Sequence, residues 1–162
     1  MSATNEPAMQ RLGDRLLLPG APGSPGDGRA VRRAVRDRAA AVVGSPDVLD
    51  DIELMTAEAV ANAMLHGTGA IGVTVATDGR RLRVEVRDGG PADTRKDPAR
   101  CCVDHGRGLA VIDALSAGWA LERSPGGTLL WFEVPAGAAA EAAVPAAEPA
   151  PGPVAAPADH VS

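Results

Sequence analysis

Two alternating runs on either side of an Asp-Gly pair constrain the fold of this chain more than any other stretch. Ile71, Val73 and Val75 alternate with smaller or polar residues, and Leu82, Val84 and Val86 alternate with Arg83, Glu85 and Arg87. A period of two puts each apolar set on one face of a strand. Asp78-Gly79 between them is a hairpin signal. A hairpin with one apolar face is not stable alone and requires a second layer to cover it.

That layer is legible upstream. Val31, Ala34, Val35, Ala39 and Val42 follow helical spacing and predict a helix from Arg29 to Val43, stopped by Gly44. Arg29, Arg32, Arg33, Arg36 and Arg38 occupy mostly its other faces and read as a solvated surface in preference to a partner-binding patch. Ser45 is a helix cap, with Pro46 at the first helical position and Asp47 in the first turn, where the helix dipole favours an anion. Val48, Ile52, Met55, Ala59 and Ala63 give this second helix a buried stripe, and Gly67 after His66 is its expected stop. Downstream, the pattern predicts a helix from Gly108 to about Ala117 and strands around Trp119–Glu122 and Leu129–Val134. Arg15–Leu18 reads as a short edge strand before the Gly/Pro-rich stretch 19–28. The sum is a two-layer α/β sandwich with a mixed, mostly antiparallel sheet and helices on one face.

Composition sets the limits. Only 2% of the residues are aromatic, so the core is built from Val, Leu, Ile and Ala. A length of 162 residues fits one domain with a remainder, divided as a flexible N-terminus (1–11), a domain (12–135) and an Ala/Pro-rich tail (136–162) expected to be disordered. The net charge of −5 argues against direct nucleic-acid binding by the chain as a whole. Cys101 and Cys102 are adjacent, which suits neither a disulfide framework nor a CxxC metal site. The first residues lack the features of a secretory signal, and no apolar run approaches the roughly 18 residues needed to span a bilayer. A soluble, cytoplasmic protein is expected.

Three motifs carry chemistry. Glu58 and Asn62 lie at i and i+4 on the second helix and share a face. The carboxylate can take a proton from a hydroxyl, and the carboxamide oxygen is a hard ligand suited to Mg²⁺. Asp88 follows a strand and precedes Gly89-Gly90-Pro91, where it can accept from an exocyclic amine while glycine lets the backbone approach a flat base. Gly106-Arg107-Gly108-Leu109 opens a helix whose free N–H groups and dipole suit phosphate. It is neither a Rossmann fingerprint, since Val111 occupies the third glycine position, nor a Walker A sequence. Taken singly, the first two have commoner readings as a polar helix face and an ordinary Asp-Gly turn. The third is as readily a loop before a helix.

In this order the blocks resemble the GHKL (Bergerat-fold) ATPases. Glu58-Ala-Val-Ala-Asn62-Ala-Met-Leu-His66-Gly67 resembles the N box, Asp88-Gly-Gly90-Pro91 the G1 box and Gly106-Arg-Gly108-Leu109 the G2 box. Gly126-Gly127-Thr128 is similar to the last glycine block. The short single domain resembles the bacterial anti-sigma-factor serine/threonine kinases, especially the small actinobacterial members. The resemblance implies the Bergerat fold and ATP with Mg²⁺ as cofactors. Asn62 is then the Mg²⁺ ligand and Glu58 the base for a serine hydroxyl, while Asp88 accepts from the adenine amino group. Gly90 borders the base, Thr128 lies near it, and Gly106, Arg107, Gly108 and Leu109 form the phosphate end, with His66 near phosphate. The stretch 88–105 is the implied ATP lid. The implied partners are an anti-anti-sigma (STAS-type) protein and a sigma factor, with a homodimer among the allowed assemblies and no membrane. The alternative is an ATP- or ADP-dependent module that sequesters a partner without phosphorylating it.

Overall fold

The computed structural model describes residues 8–19, 25–91 and 107–136. In chain order these form β1 (Gln10–Arg11), β2 (Leu16–Leu18), α1 (Pro25–Ala39), α2 (Pro46–His66), β3 (Ile71–Thr77), β4 (Arg81–Asp88), α3 (Arg107–Leu115), β5 (Gly118–Ser124) and β6 (Gly127–Pro135). The strands make one six-stranded sheet in the order β1-β3-β4-β6-β5, with β2 also on the outer edge of β3. Every pairing among them is antiparallel. This is the expected α/β sandwich.

The predicted hairpin forms. Thr77 and Leu82 pair across the turn, Gly79 takes a positive φ of 85°, and Asp78 Oδ1 accepts from the backbone N–H groups of Arg80 (2.8 Å) and Arg81 (2.7 Å). Those bonds hold the Asp78 carboxyl below its ordinary range. One face of β3, β4 and β6 supplies the core. Val73, Val75, Leu82, Val84 and Phe132 are buried there with Val35 of α1 and Ile52, Met55 and Ala59 of α2. The opposite face is polar but organised. Arg83 binds the buried carboxylate of Glu133 at 2.7 Å and lies 4.1 Å from the centre of the Trp131 ring.

Helix α2 begins as expected. Ser45 is its N-cap and accepts from Val48 N at 3.4 Å, with Pro46 at the first position. Helix α1 departs from the expected range at both ends. It starts at Pro25, inside the Gly/Pro-rich stretch, because proline is compatible with a first turn and Asp27 follows in it. It ends at Ala39, where the chain tightens and Ala39 O accepts from both Val42 N (3.0 Å) and Val43 N (2.8 Å). The arginines of α1 are not uniformly solvated. Arg36 pairs with Asp50 and Glu53 of α2, and Arg38 donates to the Asp14 carbonyl. Gln10 and Arg11, within the expected N-terminal segment, pair with Thr77 and Ala76.

Gly67 ends α2 for a reason other than the expected one. Its φ of −89° and ψ of 175° are extended rather than left-handed, so the backbone does not demand glycine. The requirement is space, as the site shows.

Candidate functional site

The last two turns of α2 place Glu58, Asn62 and His66 four residues apart on one side. They line a small cleft with Ala61, Leu65, Gly108 and Leu109. The contact across it is close. A side-chain carbon built on Gly108 stands 2.8 Å from Glu58 Oε2, so the start of α3 lies directly against this carboxylate, and a side chain there would push the carboxylate aside. Leu109 turns the next position of α3 toward the core. Arg107 opens α3, while Gly106 and the expected lid, apart from its first residues at the end of β4, lie outside the described residues, as do Cys101, Cys102 and the tail beyond Ala136.

A second cluster forms where β4 ends. The register sets Asp88 opposite Thr128 of β6. Asp88 Oδ1 accepts from Gly90 N at 2.7 Å, and Gly90 is buried with a φ of 108° that a side chain rarely adopts. Gly127 packs 3.6 Å from a Cβ built on Gly90. Burial raises the Asp88 carboxyl above its ordinary value. Hydrogen bonds from Gly90 and Thr128 and the charge of Arg123 act in the opposite direction. A half-buried carboxylate with its charged form disfavoured is suited to one well-placed donor from a ligand.

The two clusters meet at the end of α2, because His66 lines the first and Gly67 walls the second. Gly67 N donates to Ala63 O at 2.8 Å, completing the helix. The next residue is bonded to the β4 loop. Thr68 O accepts from Gly89 N at 2.6 Å, and the Thr68 hydroxyl donates to Gly90 O at 3.2 Å. A bridge between Gly67 and Pro91 extends this contact. Sequence reasoning had Glu58 and Asn62 on one helix face, Asp88 and Gly90 at a strand end, and Gly108 and Leu109 at a separate helix start; the structure gathers Glu58, Asn62, His66, Gly108 and Leu109 around one cleft and sets Asp88, Gly90 and Thr128 together. It missed Gly67, Thr68 and Arg123 as parts of the Asp88 environment. Gly67 carried a signal, since a glycine immediately after the Asn62/His66 block is ambiguous between a helix stop and a close approach.

A sequence model of the histidine kinase-like ATPase domain matches residues 21–134. The chain belongs to this family. Among solved structures, the RsbU and RsbW domains of Rv1364c from Mycobacterium tuberculosis are similar to this ATPase domain, with a TM-score of 0.53 and 22% identity over 76% of the chain. The match spans 33% of that longer chain, and the likeness is one of fold. The SiaB–SiaC complex from Pseudomonas aeruginosa matches with a TM-score of 0.49 and 19% identity, covering 78% of this chain and 91% of that one. No curated protein matches the chain. No described helix is long and apolar enough to cross a membrane.

The donor set fits a shared metal. Among the described residues no three His, Cys, Asp or Glu side chains gather as a cage. Asn62 offers a neutral amide oxygen to the cleft, which suits Mg²⁺ when the phosphates of a nucleotide and water complete its shell.

Proposed function

We propose that this chain is an ATP-dependent protein kinase of the anti-sigma type. It transfers phosphate to a serine or threonine hydroxyl of a STAS-type anti-anti-sigma protein and holds a sigma factor when that protein is unavailable. Such a role is cytoplasmic. The observation that carries the reading is the placement of Glu58 against Gly108, in the cleft shared with Asn62 and His66. A carboxylate beside a phosphate-binding helix start repels the phosphates and weakens nucleotide binding. A site built only to hold nucleotide has no need of it, whereas a site that must remove a proton does.

Asn62 would hold Mg²⁺, which when bound neutralises phosphate charge. Asp88 accepts from the adenine 6-amino group, and Gly90 and Thr128 border the base. The N–H groups at the start of α3 face the phosphates. Glu58 takes the proton of the partner's hydroxyl as its oxygen bonds to the γ-phosphorus and the bond to the β,γ-bridging oxygen breaks, leaving ADP.

The Glu58–Gly108 contact also supports a second reading, in which the carboxylate is a fixed support for α3 and nucleotide only sets the conformation of a binding module. Glu58→Gln separates the two, because it keeps the shape and removes the proton acceptor. The kinase reading predicts a fall of ~10²–10⁴-fold in transfer of labelled phosphate from ATP to a STAS-type partner, with ATP affinity retained. Parent-level transfer by the variant removes Glu58 from the mechanism, and a parent that transfers nothing to its bound partner leaves the sequestration reading.

A further inference from the structure

We infer that Gly67 is a positioning residue for Asp88, and that through Asp88 it sets the preference of the site for a 6-amino over a 6-oxo purine. The inference rests on the reading of Asp88 as the acceptor for the adenine amine.

The extended backbone of Gly67 is open to any residue, so its need for glycine lies in what surrounds it. Gly67 is buried between its own helix and β4. A Cβ built there stands 2.6 Å from Asp88 Oδ2 on one side and 2.6 Å from the Ala63 carbonyl oxygen on the other. Neither approach is sustainable, since well-packed atoms do not interpenetrate.

The backbones cannot separate freely. Gly89 N to Thr68 O at 2.6 Å and the Thr68 hydroxyl to Gly90 O at 3.2 Å tie the two segments on one flank. On the other, Gly127 is buried at φ 128° against the Asp88 carbonyl, with no room there for a side chain. The side chain able to give way is the Asp88 carboxylate, by rotation away from α2, while the approach to the Ala63 carbonyl falls on the helix backbone, which must shift as well. Rotation moves Oδ1 off the Gly90 N–H at 2.7 Å and moves the acceptor away from an amine placed by the rest of the pocket. A 6-oxo base presents an acceptor to the same carboxylate, so it gains from that movement instead of losing.

The test compares ATP with inosine triphosphate by calorimetry in the parent, Gly67→Ala, Asp88→Asn and the double variant, with circular dichroism as the check on folding. Gly67→Ala should reduce the ATP-to-inosine preference about tenfold or more, the cost of leaving one buried polar group unmet. In the Asp88→Asn background the same substitution should leave the preference where it was, and in the parent background the loss should fall on ATP and not on both nucleotides alike, which a merely structural role for Gly67 would not produce. If Asp88→Asn itself leaves the preference unchanged, the reading of Asp88 fails. If Asp88→Asn abolishes it and Gly67→Ala does not, the positioning inference fails while the reading stands. Should Gly67→Ala not fold, Gly67→Ala/Asp88→Ala decides the matter by stability. Recovery to the level of Asp88→Ala supports a clash with the carboxylate, and failure to recover places the clash at the helix carbonyl and overturns the inference.

Discussion

At the scale of single residues, Asp88 is where stability and binding pull apart. Its carboxyl is raised by burial from the ordinary 3.8, so the folded protein holds that proton to higher pH than the unfolded chain does. The sign follows from linkage. Below 3.8 both states are protonated and the shift has no effect; as pH rises from there through the raised value, the unfolded state gains from ionising first and stability is lost. Asp88→Asn removes that loss. Its stability relative to the parent should therefore improve as pH rises through this interval, and urea titrations at pH 3.5 and pH 7 measure it. A relative stability that is flat or falls across the interval contradicts the account. The same substitution should weaken ATP binding by about one to two decades at pH 7, because the amide can present a donor where the adenine amine needs an acceptor.

At the scale of elements, α2 separates fold from function along its length. Its N-cap, Ser45, lies thirteen residues before Glu58, or about 20 Å at the helical rise. The cap bond to Val48 N is long at 3.4 Å, which places its worth in the lower part of the range for such caps. Ser45→Ala should cost about 0.5–1 kcal/mol by chemical denaturation and leave ATP affinity unchanged. A loss of affinity in the folded variant would mean that the helix transmits strain from its start to its end. The elements also show what a single sequence reveals. The hairpin at Asp78-Gly79, the Ser45-Pro46 start and the alternation of β4 were legible because each is governed by residues within a few positions. The start of α1 was not, since a Gly/Pro-rich run is compatible with either a linker or a proline-led first turn. The two-residue β1 is held by pairing with Thr77 and Ala76, more than sixty positions away, and no local pattern announces it. Gly67 was visible as a glycine, but its role depends on Asp88, which arrives from another strand.

At the scale of the whole molecule, the sheet and its helical cover serve to bring the end of α2, the end of β4, the start of β6 and the start of α3 to one side of the domain. The helix layer carries a competing cavity on its outer surface between α1 and α2, lined by Arg29, Arg32, Ala57, Val60, Ala61 and Met64. Arginines beside an apolar floor also attract phosphorylated ligands, so this cavity is the internal control for the assignment. The most direct measurement is a titration of the ¹⁵N-labelled protein with ATP and Mg²⁺, followed through its backbone amide resonances. The account predicts that the large shifts fall at His66–Thr68, Asp88–Gly90, Gly127–Thr128 and the first turn of α3, with Gly28–Arg33 unmoved. Shifts centred on Gly28–Arg33, with Asp88–Gly90 and Thr128 silent, would contradict it.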